Sequence, residues 1–340
     1  ALSALGAGIL GGCCGTNPDH IAQASVALRG AAPKRITVGA QTSAVPAAVD
    51  ENPFWEALCD PNRKPIAVEL DPPEAADVKK FMAGAKELKA AGAAIITIAD
   101  CPIARARMDS SILACKLQRE YGITALPHLA CRDRNFNAIQ AALMGLSAEK
   151  VGQVLLVTGD PVPLERRAVI KSVFNGNSRE LIRFAASLND TVLAENPLRF
   201  FAALNVNAVN FSHELRLAQE KEASGAVGFF TQPILTKEAL ENLMAARETL
   251  SAELWGGIMP IVSERNARYL ATSVSGIRVD GKIIEAYSGA DRVHGEDLAA
   301  EISTKAAGSM LPYIDGIYLM TPFGRTGLVC RIMENIRELR

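Results

Sequence analysis

From Ile66 to the C-terminus, apolar runs of strand length alternate with helical segments at a spacing that suits βα units, and this alternation limits the fold more than any other feature. Eight runs are legible: Ile66–Asp71, Ala93–Asp100, Ile123–Ala130, Gln153–Asp160, Arg199–Asn205, Ala226–Gln232, Trp255–Val262 and Gly316–Pro322. Such nearly continuous apolar runs belong to strands buried on both faces, as in a parallel sheet covered by helices. The intervening segments read as those helices. Ala75–Ala91 carries Val78, Phe81, Met82, Ala85 and Leu88 at three-to-four spacing and stops at Gly92. Ser110–Arg119, Phe136–Leu143, Ser178–Leu188, Glu214–Ala223, Lys237–Leu250 and Glu264–Ser273 play the same part, Leu298–Leu311 precedes the last strand, and Leu328–Leu339 follows it. Eight strands alternating with helices predict an α/β chain closed into a (β/α)8 TIM barrel over residues 64–340, not an open doubly wound sheet. No G-x-G-x-x-G follows any run, so a dinucleotide-binding Rossmann unit has no support.

The chain ahead of the barrel has another character. Residues 7–16 read as a short apolar strand running into a glycine-flanked cysteine pair, Cys13 and Cys14. A helix over Pro18–Leu28 follows, with Thr16 or Asn17 as its N-cap and Pro18 in its first turn. Residues 1–30 thus form one βα unit, a remnant without the rest of its barrel. Residues 31–63, with Pro33, Gly39, Pro46, Pro53 and Pro61, read as a linker holding one short helix around Pro53–Cys59.

Charge narrows the partners. Lys and Arg total 36 against 37 Asp and Glu, a net charge of −1, so no basic field exists to hold nucleic acid or an anionic membrane surface. No apolar run reaches the about 18 residues of a membrane span, and no basic residue precedes the apolar start Ala1–Leu10 as a signal peptide requires. The expectation is small-molecule chemistry in the cytoplasm. Seven scattered cysteines, an odd number with no C-x-x-C, fit reduced thiols better than a disulfide framework.

In such a barrel the active site is built at the C-terminal ends of the strands. Polar residues stand there on nearly every run: Glu69 and Asp71, Asp100, His128, Asp160, Asn205, Thr231 and Gln232, and Ser263 after the seventh. Glu69 is the sharpest. A carboxylate within an apolar strand is costly when charged, so burial raises its pKa and makes it a candidate general acid. The alternative is a rim residue hydrogen-bonded to loop amides. For His128 the alternative is a satisfied core imidazole. No His-x-His or clustered carboxylate pattern has metal-ligand spacing, which argues against a metallohydrolase.

Four motifs in register carry a resemblance. I-A-V-E-L-D-P-P (Ile66–Pro73), L-P-H-L-A-C-R-D (Leu126–Asp133), L-V-T-G-D-P (Leu156–Pro161) and G-F-F-T-Q-P (Gly228–Pro233) resemble the methylenetetrahydrofolate reductases, over about Pro53 to Arg340. G-G-C-C-G-T-x-P-x-H-I at residues 11–21 resembles the end of a homocysteine S-methyltransferase barrel, so together they resemble the bifunctional bacterial fusion of the two. The resemblance implies FAD at the C-terminal face, NADH or NADPH as co-substrate, and ping-pong hydride transfer that turns 5,10-methylenetetrahydrofolate into 5-methyltetrahydrofolate. It makes Glu69 the acid that opens the folate to an iminium cation and puts Asp160 beside flavin and pterin. It implies that Gln232, with Thr231 and Arg325, binds the folate. Asp100, His128, Asp160, Asn205, Glu214 and Lys221 would contact the cofactor, with Glu214 and Lys221 on one helix face two turns apart. Without the resemblance, that pair would be an exposed charged face.

Cys13 and Cys14 match two thiolate ligands of the methyltransferase zinc, an incomplete half-site that needs the missing barrel; His20 belongs to the following helix and is expected to be structural. The sequence leaves the oligomeric state open, a homo-oligomer included. Departures stand at Leu70-Asp71, in place of an aromatic pair, at Leu204–Asn207, where some members place a tyrosine against the flavin, and at Arg278–Lys282, which replaces a short loop. Two other readings remain at this stage: zinc-dependent homocysteine methylation by a longer chain, or a flavin-free barrel acting as an assembly subunit.

Overall fold

The computed structural model describes residues 11, 15–29, 64–274 and 276–339. The chain divides into two compact units, residues 1–50 and 51–340. In the first unit the described residues form α1 (Pro18–Leu28), none of whose residues is buried. Asn17 is its N-cap: Oδ1 accepts from His20 N–H at 3.1 Å while His20 Nδ1 accepts from Asn17 N–H at 3.3 Å, a reciprocal box that gives His20 its structural role. The cysteine pair, the linker and its expected short helix lie outside the described residues.

The second unit is a closed parallel barrel with strands in sequence order. Its strands are β1 (Ile66–Leu70), β2 (Ile95–Ile98), β3 (Ala125–Ala130), β4 (Gln153–Val157), β5 (Arg199–Leu204), β6 (Ala226–Pro233), β7 (Glu253–Ile258) and β8 (Gly316–Met320). Around them run α2 (Lys79–Ala90), α3 (Ser110–Tyr121), α4 (Phe136–Ala148), α5 (Ser178–Asn189), α6 (Phe211–Ala223), α7 (Lys237–Thr249), α8 (Glu264–Ser273), α9 (Gly281–Ala286), α10 (Arg292–Met310) and α11 (Thr326–Glu338). No helix among the described residues is long and apolar enough to cross a membrane.

Both faces of the strands are buried, which is why the runs read as continuous. Ala67, Ile95, Leu126, Leu155, Phe201, Phe230, Trp255 and Tyr318 fill the interior. Their neighbours, such as Val68, Ile96, Leu129, Val154 and Phe229, pack in the larger core with the helices. The floor of the barrel is aromatic. Phe230 stacks on Trp255 at 5.2 Å and 8°, and meets Tyr318 edge-on at 5.0 Å and 86°. Gly316 makes room for the indole, because a Cβ there would overlap the ring of Trp255.

Element ends depart from expectation for local reasons. β7 stops at Ile258 instead of Val262, since Pro260 has no N–H to continue the ladder. α2 starts at Lys79, not Ala75, because Asp77 Oδ1 accepts from Lys79 N–H at 2.9 Å and holds the entry in a turn. α10 starts at Arg292, ahead of Leu298, under the Asp291 cap. The Arg278–Lys282 stretch leads into α9, capped by Asp280.

Candidate active site

Alternation along β1 puts Glu69 on the same face as Ala67, pointing into the barrel above the aromatic floor. The Tyr318 hydroxyl donates to Glu69 Oε2, and His128 Nε2 lies 3.9 Å from the same oxygen. Burial, reinforced by the charge of Asp71 and opposed by the Tyr318 hydrogen bond, raises Glu69 to about 7. Burial lowers His128 to about 3, so its imidazole is neutral and the pair is not an ion pair. Glu69 is thus neither bonded to loop amides nor sealed: its side chain keeps 19% of its surface open, enough for one oxygen to meet a ligand. Asp71, two residues on, is also raised by burial, with Arg107 opposing.

A second group laces the loops after β2, β3 and β4. Asp100 Oδ2 accepts from Ala130 N–H at 3.0 Å and pairs with Arg134, whose other nitrogen meets Asp109 at 2.8 Å. Arg132, 2% exposed, bonds Asp133 and the carbonyls of Asp160 (3.2 Å) and Cys101 (3.3 Å). Asp160 Oδ2 accepts from Ile103 N–H at 3.1 Å. Cys101, Ile103 and Ala104 hold φ of 48°, 55° and 54°, a left-handed stretch that costs non-glycine residues roughly 1–3 kcal/mol each and persists where the surroundings over-determine it. Both bonds to Asp100 fall on its Oδ2 and tie the end of β2 to β3 and to Arg134. Asp100→Ala is expected to lose about 2 kcal/mol in chemical denaturation, since Ala130 N–H loses its acceptor and Arg134 one of its two carboxylates.

At the end of β5, Glu214 Oε1 accepts from Asn205 N–H at 3.2 Å, and Asn205 Oδ1 from Asn207 N–H at 3.0 Å. Lys221 Nζ donates to Ala203 O at 2.7 Å and lies 3.9 Å from Glu214 Oε1. Lys221 is 8% exposed and its pKa is lowered by burial, so the pair faces inward and is not an exposed charged face. These contacts use one carboxylate oxygen and one of three ammonium protons.

Thr231 Oγ1 accepts from Gly257 N–H at 2.8 Å and donates to Gln232 O at 3.0 Å, pinning a break in the β6–β7 register. A Cβ at Gly257 would stand 2.5 Å from the Thr231 carbonyl, so the close approach requires glycine. Gln232, beside it, is half-buried. Arg325 pairs with Glu296 at 2.8 Å on the edge of a cleft of about 470 Å³ lined also by Ser263, Asp291 and Phe323.

The structure thus brings Glu69 and His128 together, ties Asp100 and Asp160 into neighbouring loops, and gathers Asn205, Glu214 and Lys221 at β5. Thr231 and Gln232 stand at β6 and Arg325 after β8. Sequence reasoning missed Tyr318. Its signal was parity: in Gly316–Met320 the one polar side chain falls on the inward face.

Buried polar atoms without a partner among the described residues include His128 Nε2, Asn207 Oδ1 and Thr321 Oγ1, at β3 and at the ends of β5 and β8. With the spare capacity of Glu214 and Lys221, they fit a large polar ligand at this face of the barrel, FAD included.

The methylenetetrahydrofolate reductase family profile matches residues 56–335. Among solved structures, an uncharacterized protein from Clostridium thermocellum that binds two copies of 5-methyl-5,6,7,8-tetrahydrofolic acid is similar, with TM-score 0.58 and 11% identity over 84% of this chain and 98% of that one. Tryptophan synthase from M. tuberculosis follows at TM-score 0.49 and 12% identity, over 84% of this chain and 96% of that one. At 11% identity the likeness to the Clostridium thermocellum protein is one of fold. No curated protein matches the sequence.

Proposed function

The chain belongs to the methylenetetrahydrofolate reductase family, and from that premise we propose that it reduces 5,10-methylenetetrahydrofolate to 5-methyltetrahydrofolate, with FAD as carrier and NADH or NADPH as donor. The observation that carries the reading is Glu69: a carboxyl inside the barrel, raised to about 7, with one oxygen tied to Tyr318. Reduction requires the five-membered ring of the folate to open. One methylene C–N bond breaks, the departing nitrogen takes a proton, and the cation left on the other nitrogen accepts hydride at the methylene carbon. A carboxyl that titrates near neutral pH can give that proton and recover it from solvent. When bound, FAD supplies the hydride transfer from reduced nicotinamide to that carbon.

The other residues have supporting parts. Gln232, half-buried beside the Thr231 bulge, offers an amide that both donates and accepts, suited to the pterin edge. Asp160 keeps an oxygen beyond its Ile103 bond and can face the developing cation. His128, neutral, presents Nε2, and Glu214 and Lys221 would hold the adenosine end of the cofactor. Arg325 would meet the folate tail. We read α1 and the preceding Cys13 and Cys14 as the end of a methyltransferase barrel, whose zinc would need the rest of that barrel.

The testing experiment is the visible spectrum of the purified protein, followed by anaerobic NADH and then methylenetetrahydrofolate. Flavin bands that bleach with NADH and return with the folate are expected. A colourless protein that FAD cannot reconstitute overturns the reading. A flavin that ignores NADH but is reoxidised by folate after chemical reduction replaces the donor alone.

A further inference from the structure

We propose that Tyr318 is the positioning residue for Glu69: its hydroxyl, fixed by the aromatic floor of the barrel, anchors one carboxyl oxygen and leaves the other to deliver the proton. The proposal rests on the reading of Glu69 as the acid. Its geometry comes from three elements far apart in sequence. The Tyr318 ring is 5% exposed and stands edge-on to Phe230, which is stacked on Trp255, so the phenol is held by packing before any ligand arrives. A phenol has one proton to donate, and here it goes to Glu69 Oε2. A glutamate side chain has several torsions of its own; fixing Oε2 aims Oε1 as well.

The groups around Glu69 make the arrangement testable through pH. Asp71 lies two residues along β1, Thr97 pairs with Glu69 in the β1–β2 register and sits against the Tyr318 hydroxyl, His128 approaches from β3, and Tyr318 and Met320 come from β8. His128 is neutral and, at 3.9 Å, beyond hydrogen-bonding distance. Two groups therefore act on the proton with opposite sign. The Tyr318 hydroxyl bonds the ionised carboxylate and favours proton loss, while the Asp71 charge disfavours it. Removing the hydroxyl should make Glu69 hold its proton to higher pH, and removing the Asp71 charge should do the reverse.

The test uses Tyr318→Phe, which keeps the ring, and Asp71→Asn. The folate half-reaction of the reduced protein is followed from pH 6 to pH 9, together with the infrared carboxyl band of Glu69, assigned by its loss in Glu69→Gln. In Tyr318→Phe the folate half-reaction is expected to fall about tenfold at pH 6, where the acid is protonated in both proteins. Its alkaline limb should move up, so that the fraction of the pH 6 rate kept at pH 8 rises roughly threefold, with the infrared titration moving alike and flavin reduction by the nicotinamide unchanged. In Asp71→Asn both limb and titration should move to lower pH. A Tyr318→Phe protein whose limb and infrared titration stay in place, or whose two half-reactions slow equally, overturns the positioning role. Full folate reduction by Glu69→Gln would instead end the assignment of the acid, a different failure.

Discussion

Glu69→Gln is expected to slow folate reduction roughly a thousandfold while leaving flavin reduction by the nicotinamide near its wild-type rate. Glutamine has the same shape, and its amide oxygen can still accept the Tyr318 hydroxyl. What it lacks is a proton to give at pH 7. Without that proton the folate ring opens against a poor leaving nitrogen, and the loss falls on one half-reaction only. Stability separates this from damage. Because burial raises Glu69 from 4.5 to about 7, the folded state holds a proton that the unfolded chain has released across that window. The wild type therefore loses stability as pH rises from about 4.5 to about 7, a loss the neutral amide does not share. The melting temperature of Glu69→Gln should then match wild type at pH 4 and exceed it at pH 8. Parallel loss of both half-reactions, with a lower melting temperature at every pH, would make Glu69 structural and remove the acid from the proposed mechanism.

The barrel was legible because its strands are apolar on both faces, and a run such as Gln153–Val157 or Gly316–Met320 has no other reason to exist in a chain of near-zero net charge. Element ends were less legible, since they turn on single side chains: the missing N–H of Pro260, the turn closed by Asp77, the cap at Asp291. Within the candidate site, Glu69 was visible as a charge flanked by apolar residues on both sides within its strand. Its partner was not. Tyr318 lies 249 residues away, and a tyrosine in an apolar strand looks like core filling until the barrel closes β8 onto β1. Glu214 and Lys221 show the opposite limit: spacing put them on one helix face, but only the packing of α6 on β5 says that this face turns inward, towards Ala203 O and Asn205 N–H. Thr231 read as a ligand-facing polar residue, and its hydroxyl is bonded within a backbone irregularity that no side-chain pattern encodes.

Trp255→Ala is expected to destabilise the protein by about 4 kcal/mol and to lower the melting temperature by roughly 10 °C, the largest stability effect expected of any single side chain named here. The indole is fully buried in the barrel interior, stacked on Phe230 and fitted against Gly316, with Nε1 3.3 Å from Glu253 Oε2. Strands closed into a barrel cannot collapse inward to fill the space an alanine leaves, so the cavity persists and its walls lose their contacts. The effect should reach the chemistry. Phe230 loses the ring that fixes it, Phe230 in turn fixes Tyr318, and Tyr318 holds Glu69. The folded fraction of Trp255→Ala should therefore show a slower folate half-reaction with flavin reduction unchanged. Trp255→Phe keeps an aromatic face on Phe230 and should recover most of that rate while regaining only part of the stability. Thermal denaturation and single-turnover kinetics on both variants measure the two effects separately. Lost stability with an unchanged folate half-reaction would mean that the floor supports the barrel but does not aim the acid.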